Sequence, residues 1–129
     1  MRVFLSYDSK DNKSARTLTA RLSAEGFEVW DAARELLPGD NWALELGKAL
    51  EESDAMIVLI SPEGVKSPWV RRAVEYAVGS PQYKGRLIPV VVRPTPRIPW
   101  VLRQFKVVRV DKEGAHATKQ IVDQLRRAG

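Results

Sequence analysis

An unbroken apolar run, Ala55–Ile60, constrains the fold more than any other stretch of this chain. Its six residues do not alternate between apolar and polar types, so a strand formed here has to be buried on both faces. Such strands are typical of the interior of a parallel sheet that carries helices on each side. The run therefore predicts the centre of an α/β fold.

Strands and helices alternate along the rest of the chain. Helix starts are marked by the capping residues Asp11 or Asn12 and Asp40 or Asn41, and by the pair Ser67–Pro68. The predicted order is strand Arg2–Ser6, helix to Glu25, strand Phe27–Trp30, helix to Glu52, strand Ala55–Ile60, helix to Val78, strand Leu87–Val92, strand Val107–Val110 and helix Ala115–Ala128. With right-handed crossovers, this order gives a flavodoxin-like three-layer α/β sandwich with a five-stranded parallel sheet of order 2-1-3-4-5.

Length and composition narrow the class of protein. A chain of 129 residues fits one domain, residues 1–129. It contains no cysteine, which excludes disulfides and thiolate chemistry and suits a reducing compartment. No apolar run approaches the ~18 residues of a membrane span, and the first residues do not resemble a signal peptide. We therefore expect a cytoplasmic protein without a membrane partner.

The loop after the first strand is the expected ligand site. In open α/β sheets, ligands bind outside the carboxyl ends of the strands, where the strand order reverses. In the predicted order this point lies between the first and third strands. We therefore expect a crevice between the loops that follow Ser6 and Ser61, lined by Ser6, Tyr7 and Asp8.

Several kinds of chemistry are excluded. His116 is the one histidine, so the chain has no histidine dyad or histidine metal site, and it has no phosphate-cradling glycine motif. We expect neither a metal nor a cofactor. Response-regulator receivers share the predicted topology but need a phosphoacceptor aspartate at the end of the third strand. Here that position reads Ser61–Pro62, so we reject that class.

Three stretches resemble conserved segments of TIR (Toll/interleukin-1 receptor-like) domains. Phe4–Asp11 is similar to the first conserved box of the family, and Leu36–Asp40 is similar to the second, which lies in the BB loop. Glu52–Pro62 and then Ser67–Val70 resemble the third strand and following helix of bacterial members. The stretches occur in the family's order and the resemblance covers the whole chain, so the chain is identified as a TIR domain.

The resemblance implies an activity. Many bacterial and plant TIR domains cleave the N-glycosidic bond of NAD+, releasing nicotinamide and ADP-ribose or a cyclic variant. Others are scaffolds that only bind other TIR domains. NAD+ is then a substrate and not a cofactor, and the expected role is a bacterial defence or signalling effector that is active on self-assembly. In cleaving members a glutamate four residues after a tryptophan stabilises the oxocarbenium-like ribose.

That glutamate is absent here. The fourth residue after Trp69 is Ala73, and the nearest carboxylate, Glu75, lies about 200° further around the helix. We interpret Glu75 as a surface residue that pairs with Arg71. Ala73 is either natural, which makes the chain a non-catalytic scaffold, or a deliberate Glu→Ala substitution, which the otherwise intact surroundings favour. In both cases we predict an inactive chain.

Other residues are weaker candidates. Arg34, in the BB loop, is a candidate for contact with the pyrophosphate, and Trp69 either packs in the core or flanks the nucleotide. Trp30 and Trp42 are expected in the core. A third possible class is a related Glu-dependent nucleoside-cleaving enzyme with the same topology.

Charge is unevenly distributed. Residues 1–75 carry 10 basic and 13 acidic side chains, whereas residues 76–110 carry seven basic ones and no acidic one. A solvated surface, self-association of unlike surfaces and an anionic ligand all fit this pattern, and nucleic acid is not the expected partner. Because related domains stack through the BB loop, we hypothesise a head-to-tail contact that builds open filaments. It would join the BB-loop acids Asp31, Glu35 and Asp40 to the basic segment Arg86–Arg109.

Overall fold

In a computed structural model, the described residues, 1–110 and 115–128, form a five-stranded sheet with helices on both faces. The strands are β1 Arg2–Ser6, β2 Glu28–Asp31, β3 Ala55–Ile60, β4 Leu87–Val91 and β5 Val108–Arg109. The helices are α1 Asn12–Ala24, α2 Ala32–Glu35, α3 Trp42–Glu52, α4 Pro68–Val78, α5 Trp100–Arg103 and α6 Ala115–Ala128. All strand pairs are parallel and the order is β2-β1-β3-β4-β5, which confirms the predicted fold class.

Strand β3 is buried along its whole length, as its composition predicts. Its alternate side chains contribute to two separate cores. Ala55, Ile57 and Leu59 belong to the first core, which α1 and α6 cover. The residues between them belong to the second core, which α3 and α4 cover. The sheet is therefore the middle layer of a three-layer sandwich.

Element boundaries differ from the prediction mainly near the loops. Strand β2 begins and ends one residue later than expected, and β5 is limited to Val108–Arg109. The segment after β2 contains helix α2, because the Asp31 carboxylate accepts a hydrogen bond from the backbone N–H of Ala33 and caps it. Between the prolines that follow β4 and the start of β5, the short helix α5 is the one regular element.

Asp11 departs from its expected role as a helix cap. It precedes α1 but its side chain makes no capping bond, and it is almost fully buried. One carboxylate oxygen accepts hydrogen bonds from Nε and Nη2 of Arg93, at 3.1 and 2.9 Å, and the other accepts one from Ser61 Oγ. Arg93 also pairs with Glu63, and Ser61 Oγ accepts the N–H of Gly64 at 2.9 Å. This network joins the loops that follow β1, β3 and β4.

No helix among residues 1–110 and 115–128 is long and apolar enough to span a membrane. His116 is exposed at the start of α6.

Two glycine-to-alanine substitutions should change the stability of the protein in opposite directions, and the first of them affects this network. A Cβ at Gly64 would lie 2.8 Å from the backbone oxygen of Leu59 and 3.1 Å from Ser61 Oγ. We expect Gly64→Ala to lower the unfolding free energy by about 1–3 kcal/mol, because the buried network has to shift. Urea unfolding measures the change.

Gly47 is the matched control, since it lies within α3 and a Cβ there meets no atom within 4 Å. Gly47→Ala should raise the unfolding free energy by about 0.5–1 kcal/mol through helix propensity. Equal effects of the two substitutions would contradict the close packing around Gly64.

Candidate functional site

A cavity of about 420 Å³ opens at the carboxyl edge of the sheet. Its volume lies within the range of small-molecule sites. The loop after β1, the start of α2 and the N-terminal ends of α3 and α4 form its walls. The lining consists of Leu5, Tyr7, Asp8, Ser9, Asn12, Ala32, Ala33, Trp42, Ser67 and Trp69. The cavity lies at the end of β1 as expected, but it opens towards the residues after β2 and not beside Ser61, whose hydroxyl donates to Asp11.

Tyr7 fixes one wall of the cavity. Its hydroxyl donates a 2.7 Å hydrogen bond to Oδ1 of Asp31, the oxygen that also accepts the Ala33 N–H at 3.0 Å. Burial, reinforced by the Asp31 carboxylate, raises the pKa of Tyr7 well above its ordinary value. The pair holds the loop after β1 against the start of α2.

The burial of Asp31 corrects one part of the charge hypothesis. Asp31 is 1% exposed and faces Tyr7, so it cannot belong to an acidic contact surface. Sequence reasoning missed its structural role, although an aspartate at the end of a strand and before Ala-Ala-Arg-Glu is a capping signal.

Asp8 lies in the cavity wall as predicted by topology. Its carboxylate accepts the backbone N–H of Lys10 at 3.0 Å and caps the short turn Ser9–Asp11. Within the described part of the chain it is the one acidic residue of the lining, and no group of three or more His, Asp or Glu side chains is arranged for a metal.

Two tryptophans form the aromatic wall. Trp42 and Trp69 meet edge to face with their ring centroids 6.0 Å apart. The expectation that Trp42 is a core residue was wrong: its side chain is 55% exposed, because it is the first residue of α3 and stands at the sheet edge. Trp69 is half-buried: it packs on the second core and also lines the cavity. Trp30 is half-buried and stacks on Phe4 at 5.0 Å.

Ser6 was expected in the lining but lies outside it, and Arg34, the candidate for contact with the pyrophosphate, lies outside it too. Side chains alternate along β1, so Leu5 and Tyr7 face the first core, whereas Phe4 and Ser6 face the second. Ser6 is fully buried there. Arg34 is exposed in α2, next to the lining residue Ala33.

Ala73 lies one helical turn after Trp69 and is 2% exposed within the second core. It is not part of the cavity lining. Side chains on a helix tilt towards its N-terminus, so a longer side chain at position 73 would extend towards Trp69 and the cavity. Glu75 is exposed and lines a different cavity, between α4 and α5. The assignment of Ala73 to the family's glutamate position stays a prediction.

Comparisons with known proteins agree with this architecture. Residues 3–129 match a family model described as TIR domain. The 2' cyclic ADP-D-ribose synthase BtTIR of Bacteroides thetaiotaomicron is 37% identical over 67 residues, which are 51% of this chain and 23% of that protein. The chain thus matches less than a quarter of that relative's length.

Two solved structures are similar over nearly all of the chain. A metazoan TIR-STING receptor from C. gigas, in complex with 2',3'-cGAMP, has a TM-score of 0.77 and 25% identity, over 95% of this chain and 38% of that one. The TIR domain of the Toll-related receptor TRR-2 from Hydra magnipapillata has a TM-score of 0.82 and 20% identity, over 96% and 97% of the two chains. The second likeness shows the fold alone.

The Tyr7–Asp31 contact predicts a pH-dependent loss of stability. Because the folded state raises the pKa of Tyr7, it keeps the proton at pH values where an unfolded tyrosine, with its pKa of ~10, loses it. The contribution of the pair is therefore complete below that pH and is lost as the pH rises above it. We expect Tyr7→Phe to lower the unfolding free energy by about 1.5–3 kcal/mol at neutral pH.

The difference between Tyr7→Phe and the parent chain should shrink above about pH 10, as measured by urea unfolding across the alkaline range. Tyr76→Phe, which changes an exposed ring on α4, is the control and should be nearly neutral. A difference for Tyr7→Phe that does not vary with pH would contradict the assignment.

Proposed function

Because this chain belongs to the TIR domain family, we propose that its cavity binds NAD+ as an NAD+ glycohydrolase site that lacks its catalytic carboxylate. The observation that carries this proposal is the position of Ala73. It lies one helical turn after Trp69, and Trp69 is part of the cavity wall. The name of the bacterial relative, a 2' cyclic ADP-D-ribose synthase, supports NAD+ chemistry in the family. We further infer that the protein serves as a cytoplasmic defence or signalling effector.

The cavity suits a nucleoside part of a dinucleotide, that is, a flat base together with its ribose. The indoles of Trp42 and Trp69 offer aromatic faces and edges for a flat ring. Asp8, Asn12 and Ser67 offer polar groups for ribose hydroxyls. Ser67 caps the N-terminal end of α4, because its Oγ accepts a hydrogen bond from the Val70 N–H. This helix end adds a partial positive charge beside the lining.

The proposed reaction breaks the bond between C1′ of ribose and the nicotinamide nitrogen. The bonding electrons go to that nitrogen, which neutralises the pyridinium ring, and the ribose becomes an oxocarbenium-like cation. Addition of water and loss of a proton then give ADP-ribose. A carboxylate near C1′ stabilises the cation, whereas the methyl group of Ala73 has no charge. The parent chain is therefore proposed to bind NAD+ without cleaving it.

A scaffold that acts through TIR–TIR contacts is the alternative, and two exposed apolar features favour it. Leu37, in the loop after α2, is 64% exposed. An apolar groove of about 230 Å³ lies between α4 and α5, lined mainly by Val70, Val74, Pro99 and Val101. We propose a head-to-tail contact in which Leu37 of one copy enters this groove of the next copy.

Charge supports the same pairing of surfaces. Glu35 is exposed on the Leu37 side, while Arg97 and Arg103 are exposed on the segment that carries α5. Arg93 adds little to this basic surface, since Asp11 and Glu63 balance its charge. The proposed basic contact surface is therefore smaller than the segment Arg86–Arg109 and is formed by Arg97 and Arg103, next to and within α5.

Restoring a carboxylate at position 73 tests the enzymatic proposal. We expect Ala73→Glu to cleave fluorescent etheno-NAD+ at least about 10²-fold faster than the parent chain at high protein concentration. Ala73→Gln, which has the same shape without the charge, should stay inactive. Glu75→Ala in the Ala73→Glu background should leave the rate unchanged. No cleavage by Ala73→Glu under assembling conditions would favour the scaffold.

Charge reversal tests the assembly. Arg97→Glu with Arg103→Glu should weaken self-association and lower the mass measured by light scattering. Added salt should lower the mass of the parent chain in the same way. Arg126→Glu with Arg127→Glu, at exposed positions on α6, is the control with the same change of net charge. Equal masses for both double variants and the parent chain would contradict the proposed contact.

A further inference from the structure

The hydroxyl of Ser6 is a buried polar group without a hydrogen-bond partner among the described residues. Ser6 is the last residue of β1, the strand next to the centre of the sheet, and is fully buried. A buried hydroxyl that makes no hydrogen bond loses its hydration without compensation and destabilises the fold. Such a group at the ligand-binding edge of the sheet therefore calls for a functional explanation.

Ser6 faces the layer that contains Ala73. It lies on the same side of β1 as Phe4, and it is in register with Val58 of β3. Phe4, Val58 and Ala73 all belong to the second core, and α4 packs against both β1 and β3. The orphaned hydroxyl and the methyl group of residue 73 are thus in one layer, between the sheet and α4.

A carboxylate at position 73 would extend towards this hydroxyl. Helix α4 follows β3 and runs back from the carboxyl edge, so its N-terminal end is near the ends of the strands. A side chain at position 73 tilts towards that end, where Ser6 terminates β1. The carboxylate would otherwise be buried without a donor, which is costly for a charged group.

We propose that Ser6 is the positioning residue for the carboxylate of the glycohydrolase site. Its Oγ–H donates a hydrogen bond that orients a glutamate side chain at position 73 towards the cavity. In the chain with Ala73 the acceptor is gone and the donor is left without a partner. This inference rests on the proposed function, but it concerns a contact that can be measured without activity.

A double-mutant cycle tests the contact through stability. In the parent chain, Ser6→Ala removes no hydrogen bond, so the urea midpoint should stay the same or rise. In the Ala73→Glu background, Ser6→Ala should lower the midpoint by roughly 1 M, since a buried carboxylate loses its donor. Ser6→Thr, which keeps the hydroxyl, should lower it much less. An equal effect of Ser6→Ala in both backgrounds would overturn the proposal.

If Ala73→Glu does not fold, Ala73→Gln replaces it, because its amide oxygen accepts the same hydrogen bond. The same sign reversal between backgrounds is expected. Its absence in the glutamine cycle would also overturn the contact.

Kinetics separate positioning from a general structural effect. In active Ala73→Glu, adding Ser6→Ala should lower kcat for etheno-NAD+ about tenfold and leave KM nearly unchanged, and Ser6→Thr should restore most of the loss. A change in KM alone would contradict the orienting role. If Ala73→Glu shows the coupled stability effect but no cleavage, the proposed function fails while the Ser6 contact stands.

Discussion

Complete burial of β3 is the constraint on which the rest of the structure depends. All of its side chains are inside, so its backbone polar groups can be satisfied only by strands on both edges, β1 and β4, and its faces only by helices. Parallel pairing in turn requires a crossover between consecutive strands. The carboxyl ends of β1 and β3 are thereby placed side by side, and the loops that follow them present polar groups beside an apolar interior.

The edge of the sheet is stabilised by two buried carboxylates with different partners. Asp11 accepts hydrogen bonds from Arg93 and Ser61 and closes the β4 side. Asp31 accepts the Tyr7 hydroxyl and closes the β2 side, below the cavity. A buried carboxylate is stable only when it is paired, so each of these contacts determines where its loop can lie. The cavity lies between the loops that these two carboxylates hold, and Trp42 and Trp69 form its aromatic wall.

Position 73 shows what a buried carboxylate would require of the second core. A methyl group there fits the second core, and Val70 and Ala77 on the same face of α4 are apolar too. A glutamate would place a charge in that layer and would need a donor and an outlet to the cavity. Enzymes often tolerate such unfavourable groups where chemistry needs them. The unpartnered hydroxyl of Ser6 fits a layer that is arranged for a carboxylate but contains a methyl group.

Sequence alone determined the strand order, the starts of the long helices and the family, because apolar runs, capping residues and conserved stretches are local signals. It also placed the expected crevice at the end of β1, where the structure has a cavity. Only the tertiary structure decided that Ser6 is buried on the side of the second core, that Trp42 stands exposed at the sheet edge, and that Asp31 is buried. Asp11 was predicted to cap a helix, whereas in the structure its carboxylate pairs with Arg93 and Ser61. These outcomes depend on which remote groups meet across the sheet, and no spacing within a single stretch of sequence contains that information.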